Sequence, residues 1–498
     1  MKGCEGARPW LVLASFSATS FFVGLTWTVF SCAPDVSGDL FPVLNDSVAL
    51  TWTLNANNLA QLFTAPCAIW LLARQQGGRT GLRWTVLLAV LMLCVQSGLW
   101  ALATASPAHS LWVPAMLMVG GMAGGAASAF TQGCVSQLSA VWFPPARRGT
   151  ATSIACASQY AGQSLAYLVA LPLCTARELR DLLLIEAAIS LVLLILVVAA
   201  FPDAPARPVI GDGLATSLTT TTIATDHAVA DRPPACDESA SETLLEWPSR
   251  LPCLRWCVGQ TASLKPGQLR SCVLLGCSAA WLGGFFSAWS TTLPLMWSEQ
   301  GGEDQGGGDS SGDSGEVCDD GASLWEKAAA HQGALMGFAA GLAYPVGGAL
   351  VGLYSDRYFA HSLRRLLIGI MLLFCMACGG VVACHPPPPW LFSGSGVNGT
   401  APAQARLNGG VAPFVLSIVL AGALCGATLP TTMELLAEVG SPAVTPGSSA
   451  NAVVALMQIT ATLNTTLVNF LSPGSMNLVM LASAVGCVLL VWKANEVH

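Results

Sequence analysis

The sequence predicts an all-α polytopic membrane protein of twelve transmembrane helices in two six-helix bundles. Three observations predict it. First, only 10% of the 498 residues are charged and 53% are hydrophobic, against about 25% charged in an ordinary globular domain. The 21 Lys/Arg and 28 Asp/Glu are too few to cover a soluble surface of this size, which excludes a soluble enzyme and a disordered chain. The net charge of −7 also argues against a nucleic-acid binder. Second, apolar runs of the length needed to cross a hydrocarbon core, about 20 residues, recur six times, break at a long polar stretch, and recur six times more. Third, the positive residues alternate sides, with 17 of the 21 falling in connections on one face.

The first run, 10–31, is too long for the apolar region of a signal peptide, and a second run follows closely, so it reads as an uncleaved helix. Lys2 follows Met1, so the glycine that N-myristoylation requires is missing. Runs 48–73, 82–105, 111–140, 148–173 and 180–201 complete the first set, with Pro66, Pro114 and Pro172 permitting kinks. In the fourth run, Gly120, Gly121, Gly124 and Gly125 form two overlapping small-xxx-small pairs, a spacing that lets helix backbones approach closely. Residues 202–268 hold Pro-Ala-Arg-Pro, a Thr-rich run and acidic clusters, which is linker composition. The second set is 269–297, 328–354, 364–384, 411–439, 447–471 and 474–492, with Pro294, Pro345 and Pro430 inside it. Gly337/Gly341, Gly348/Gly352 and Gly422/Gly426 repeat the close-packing spacing. The expected organisation is therefore an N-terminal bundle over 1–201, a cytoplasmic linker over 202–268 and a C-terminal bundle over 269–498. The halves match in hydropathy rather than in letters, as duplicated transporters do.

The charge asymmetry orients the chain with both termini cytoplasmic, because Lys and Arg concentrate on that side. The other side holds only Arg177, Arg180, Lys327 and Arg406. Two glycosylation sequons, at Asn45 and Asn398, fall in loops on that other side. A third, at Asn464, lies inside a helical run and reads as chance. The loop 299–327 carries nine acidic residues among glycines and reads as a solvated spacer. Most of the 18 cysteines lie inside apolar runs, where they act as small hydrophobes, and no pair of C-x-x-C motifs suggests zinc, so neither metal nor cofactor is expected.

Charges within spans are the strongest pointers to function. Glu186, near the start of the sixth run, reads as an interfacial residue. Glu434 and Glu438 lie four apart on one helical face just past Pro430. Two carboxylates at that spacing repel when both are charged, an arrangement suited to a proton-responsive gate or a cation site. The stretch Gly352-Leu353-Tyr354-Ser355-Asp356-Arg357, followed by Arg364 and Arg365, resembles the G-x-L-x-D-R-x-x-x-R/K loop of the major facilitator superfamily. There Asp356 and Arg357 would latch the cytoplasmic side shut. The equivalent first-half loop, Trp70 to Arg79, lacks the acidic residue, and no latch is assigned to it.

Two longer stretches narrow the resemblance. One runs Trp142-Phe143-Pro144-Pro145-Ala146-Arg147-Arg148 through Ile154, and the other Pro430-Thr431-Thr432-Met433-Glu434 through Glu438, followed by Pro442 and Pro446-Gly447-Ser448. Together they resemble the solute carrier 49 family, the feline leukaemia virus subgroup C receptor-related transporters. Ser441 and Pro446 depart from the family pattern, as does one inserted residue before Gly447. The resemblance implies a carrier of small organic solutes. Choline and ethanolamine are linked to some members, haem to the same members, and a vitamin B6 cation to the lysosomal branch. In choline-type members an aromatic cage holds the quaternary ammonium. Matched residue by residue, its positions fall on Trp27, Phe286, Gln458, Gln159 and Tyr160, the last replacing a family Gln. The six histidines all fall in loops, at helix ends or at the terminus, which weakens a haem reading.

The expectation is a secondary transporter in the plasma membrane or an endolysosomal membrane. It would work as a monomer by alternating access on a choline- or ethanolamine-like organic cation, with haem or vitamin B6 as alternatives. A non-transporting receptor on the same fold is the rival from another class. An enzyme is not expected, since neither H-E-x-x-H nor G-x-S-x-G occurs.

Overall fold

The computed structural model describes residues 2–45, 47–73, 81–107, 110–202, 264–301, 332–358, 362–384, 411–440, 446–468, 471 and 473–494. Among these residues the secondary structure is entirely helical. The first half comprises α1 (Lys2–Cys32), the short α2 (Pro34–Leu40), α3 (Ser47–Ala73), α4 (Leu82–Ala105), α5 (Trp112–Trp142), α6 (Pro145–Ala170) and α7 (Ala176–Ala200). The second half comprises α8 (Pro266–Gly301), α9 (Gln332–Tyr358), α10 (Leu363–Cys384), α11 (Val411–Gly440), α12 (Pro446–Val468) and α13 (Pro473–Lys493). Leaving out α2, these are the twelve long helices that the apolar runs predicted. The expected linker and the acidic loop fall almost entirely outside the described residues.

Among the described residues, nine helices are long and apolar enough to cross a membrane. The three long helices outside that set are α3, α6 and α12, of 27, 26 and 23 residues. Helices α3 and α6 are long enough but too polar, with runs such as Asn55-Ala56-Asn57-Asn58 in α3. Packing explains the difference. Helix α6 lies along α9, and α12 lies along α3 and α5, so these helices face the opposite half of the protein rather than lipid. Helix α7 is the contrast. Its buried stripe, Leu179, Leu183, Glu186, Ser190 and Val197, faces the bundle, while Ile185, Val192 and Ile195 on the other side are exposed.

Helix ends are closed by side chains. Thr175 caps α7: its Oγ1 accepts from the Glu178 N–H (3.3 Å), and Glu178 Oε2 accepts from the Thr175 N–H (3.0 Å). At the end of the bundle where α3 meets α4 and α5 meets α6, arginines close helix C-termini. Arg148 donates to the carbonyls of Phe143 and Ala140 (both 3.2 Å), Arg83 to Val198 (3.1 Å) and Arg364 to Trp492 (2.6 Å). The positive residues that mark one side in the sequence therefore also neutralise the partial negative charge of helix ends.

Backbone approach holds the helices together within each half. A Cβ at Gly426 of α11 would fall on the carbonyl oxygen of Tyr344 in α9, and one at Gly422 on that of Ala340. The predicted close-packing glycines are thus sites of contact between α9 and α11. Asn464, in the sequon read as chance, is buried in α12 and donates to the Thr460 carbonyl (2.8 Å).

Candidate functional site

The two halves enclose a set of adjoining slots at mid-depth. The first lies between Trp27, Thr28 and Ser31 of α1, Leu54 and Asn58 of α3, Ser287 and Ala288 of α8, and Ala461 and Thr465 of α12. The second is bounded by Trp27, Gln61, Ser128, Gln132, Gln159, Tyr160, Gln163, Ser287, Met457 and Gln458, with Gly284 and Ala461. The third is walled by Tyr160, Gln163, Phe286, Ser287, Ser290 and Tyr344, with Gly283 and Gly341. Trp27, Ser287 and Ala461 join the first two, and Tyr160, Gln163 and Ser287 join the last two. Opposite walls of each slot leave room for little more than a water molecule.

The halves touch on both sides of this cavity. Toward the arginine-rich end, Ser153 of α6 abuts Gly352 of α9, and Asn451 of α12 abuts Gly133 of α5. Toward the other end, Tyr167 abuts Gly337 and its hydroxyl donates to the Ser290 carbonyl (3.0 Å), while Asn55 Nδ2 donates to Thr466 Oγ1 (3.3 Å). Contacts between the halves thus flank the cavity on both sides.

The five residues matched through the family resemblance, spread over more than 400 positions of sequence, all line this one cavity. Gln159 is buried, and its Nε2 donates to Ser128 Oγ (3.3 Å). Tyr160 packs on Tyr344 with ring centroids 4.1 Å apart, and Tyr344 stacks on Phe286 at 5.7 Å, so an aromatic row crosses from one half to the other. Sequence reasoning missed Tyr344, Asn58, Gln61, Gln132 and Gln163. The readable signal was amides at helical spacing inside otherwise apolar runs. None of the described residues lining the three slots is Asp, Glu, Lys, Arg or His.

The other candidates lie elsewhere. Glu434 is half-buried and Glu438 exposed, on the last turns of α11 and outside the cavity lining. Glu434 is close enough to Cys156 of α6 to act on it electrostatically, so it stands at the junction of the halves. Arg357 is exposed and lies 5.5 Å from the ring of Tyr358. The Asp356 side chain and Asn398 lie outside the described residues. Asn45 is exposed, and its amide oxygen rests against Gly38.

Glu186 corrects an expectation. It is not interfacial but 1% exposed, about 15 Å along α7 at 1.5 Å per residue. Neither carboxyl oxygen has a hydrogen-bond partner among the described residues. Leaving such a group unsatisfied costs about 1–3 kcal/mol. Glu186→Leu is therefore expected to raise the thermal unfolding midpoint of the purified protein. A lower midpoint would mean that the carboxyl contributes an interaction to the fold.

Comparison with known proteins adds to this geometry. A family model described as Major Facilitator Superfamily matches residues 11–404. A Xenopus tropicalis protein named Solute carrier family 49 member 4 homolog is 32% identical over 171 residues, covering 32% of this chain and 33% of that protein. An uncharacterized MFS-type transporter of Caenorhabditis elegans is 28% identical over 209 residues, covering 40% of this chain and 33% of its own. The chain thus spans about a third of the length of the curated relatives it matches. Among solved structures, the proton:xylose symporter XylE bound to 6-bromo-6-deoxy-D-glucose aligns with a TM-score of 0.62 at 14% identity, over 98% of this chain and 96% of that one. The transporter FucP in its outward conformation aligns at 0.54 and 10% identity, over 97% and 99%.

Proposed function

Because the chain belongs to the major facilitator superfamily, we propose that it is a secondary transporter that moves a small organic solute by alternating access. The substrate we favour is a choline-like organic cation. The observation that carries this reading is the central cavity, built from both halves, flanked on both sides by contacts between them, with aromatic and amide walls. A cation against Trp27, Tyr160, Phe286 or Tyr344 gains about 0.5–2 kcal/mol per aromatic face. No carboxylate lines the described walls to take the N–H groups of a primary ammonium. A quaternary ammonium has none to satisfy, so choline suits these walls better than ethanolamine. The aromatic row favours a second reading, a ring solute of the vitamin B6 type. Haem gains no support from these walls, where no described residue is a histidine.

In this reading both termini are cytoplasmic, Asp356 and Arg357 latch that side, and Glu434 and Glu438 gate it. Whether the membrane is plasma or endolysosomal follows from where the tagged protein localises. The test is uptake of labelled choline, ethanolamine, pyridoxine and haem into cells expressing the full chain, at two pH values. Saturable uptake of choline or pyridoxine is expected. Binding without flux would instead favour a receptor on a carrier fold.

A further inference from the structure

Four buried polar atoms in the first two slots have no hydrogen-bond partner among the described residues. Two are acceptors, Asn58 Oδ1 and Gln159 Oε1, and two are donors, Trp27 Nε1 and Gln61 Nε2. Asn58, Gln61 and Gln159 are each 3% exposed. Most hydroxyls around them are already committed: Thr28 donates to the Gln163 carbonyl (3.4 Å), Ser31 to Thr28 (2.9 Å) and Thr465 to Ala461 (2.8 Å). Asn55, one turn earlier on α3, shows what an interface amide on this helix does, since it reaches across to Thr466. Asn58 and Gln61 instead line the cavity, one turn apart on the same helix.

Unpaired buried polar groups are costly, and a site that keeps them matches a ligand able to pair them. The set here is balanced, with equal donors and acceptors. A carboxylate would satisfy the two N–H groups but face two carbonyl oxygens. An ammonium would satisfy the carbonyls but face two N–H groups. A hydroxyl both donates and accepts, so hydroxyl groups satisfy the whole set without introducing charge.

We propose that Asn58 and Gln61 of α3, with the Trp27 indole N–H and the Gln159 carbonyl, form a hydroxyl-reading subsite. It selects solutes that carry one or two alcohol groups beside the part held by the aromatic row. This rests on the transporter reading above and assigns the polar end of its substrate. A site built to hydrogen-bond a hydroxyl rejects the analogue that lacks it much more strongly than an apolar pocket does.

The test uses matched pairs on the purified full-length protein: choline against ethyltrimethylammonium, and pyridoxine against 4-deoxypyridoxine. For at least one pair, the hydroxylated member should bind wild type about tenfold tighter or more. Asn58→Leu and Gln61→Met should each bring that ratio toward one, while affinity for the deoxy member stays within about threefold. An unchanged unfolding midpoint for Gln61→Met, a near-isosteric change, shows that the fold is intact. A wild-type ratio near one in both pairs overturns the subsite and leaves the transporter reading standing, as does equal weakening of both members by the variants. Binding of none of the four probes overturns the substrate reading and the subsite together.

Discussion

Uptake by Trp27→Ala is expected to fall at least tenfold while the protein still reaches the membrane. Trp27 borders two of the three slots, and its indole N–H has no partner among the described residues. Removing the ring takes away an aromatic face, worth about 0.5–2 kcal/mol to a cation, and a donor worth about 1 kcal/mol more. Since about 1.4 kcal/mol is a factor of ten in affinity, the combined loss reaches tenfold or beyond. Trp27→Phe keeps the face and loses the donor, so it should lie between wild type and Trp27→Ala. If Trp27 only packs the bundle, Trp27→Ala will lower the unfolding midpoint and leave uptake per folded molecule unchanged.

The second large effect concerns folding. Gly426→Val is expected to abolish recovery of monodisperse protein. The Cβ would coincide with the Tyr344 carbonyl oxygen, and the obstruction is backbone, which a rotamer change cannot relieve. Helices α9 and α11 would have to separate along their length, breaking the approach that Gly422 and Gly347 also permit. Membrane helices associate largely through such packing. Gly486→Ala is the control, because nothing lies within 4 Å of its Cβ position, and it should behave as wild type. Size-exclusion profiles of the two variants decide the matter, and a normal Gly426→Val profile would refute this account of the α9–α11 contact.

The helices were legible because a hydrocarbon core demands long apolar runs. Hydropathy marks α3 and α6 less strongly than the others, since they pack along helices of the opposite half. The glycine pairs were equally readable: Gly341 and Gly352, four and fifteen positions beyond Gly337, all contact α6. The placement of Glu186 was readable but missed. Leu179, Leu183, Glu186 and Ser190 recur at helical spacing, which puts the carboxyl on the buried stripe. The site was less legible. Periodicity gave no reason to gather Trp27, Gln159, Tyr160, Phe286 and Gln458, and only the family resemblance did. Asn58 and Gln61 were harder to read because they carry no charge, and the described lining of the cavity holds amides, hydroxyls and rings but no charged side chain.

The central claim is that solute crosses through a cavity to which the two halves give access in turn. Counterflow in proteoliposomes tests it most directly. Vesicles containing the purified chain are loaded with unlabelled choline or pyridoxine and diluted into a trace of the labelled compound. The account predicts a transient accumulation of label above its outside concentration, abolished by Trp27→Ala. Specific binding of the same compound with no counterflow would contradict it.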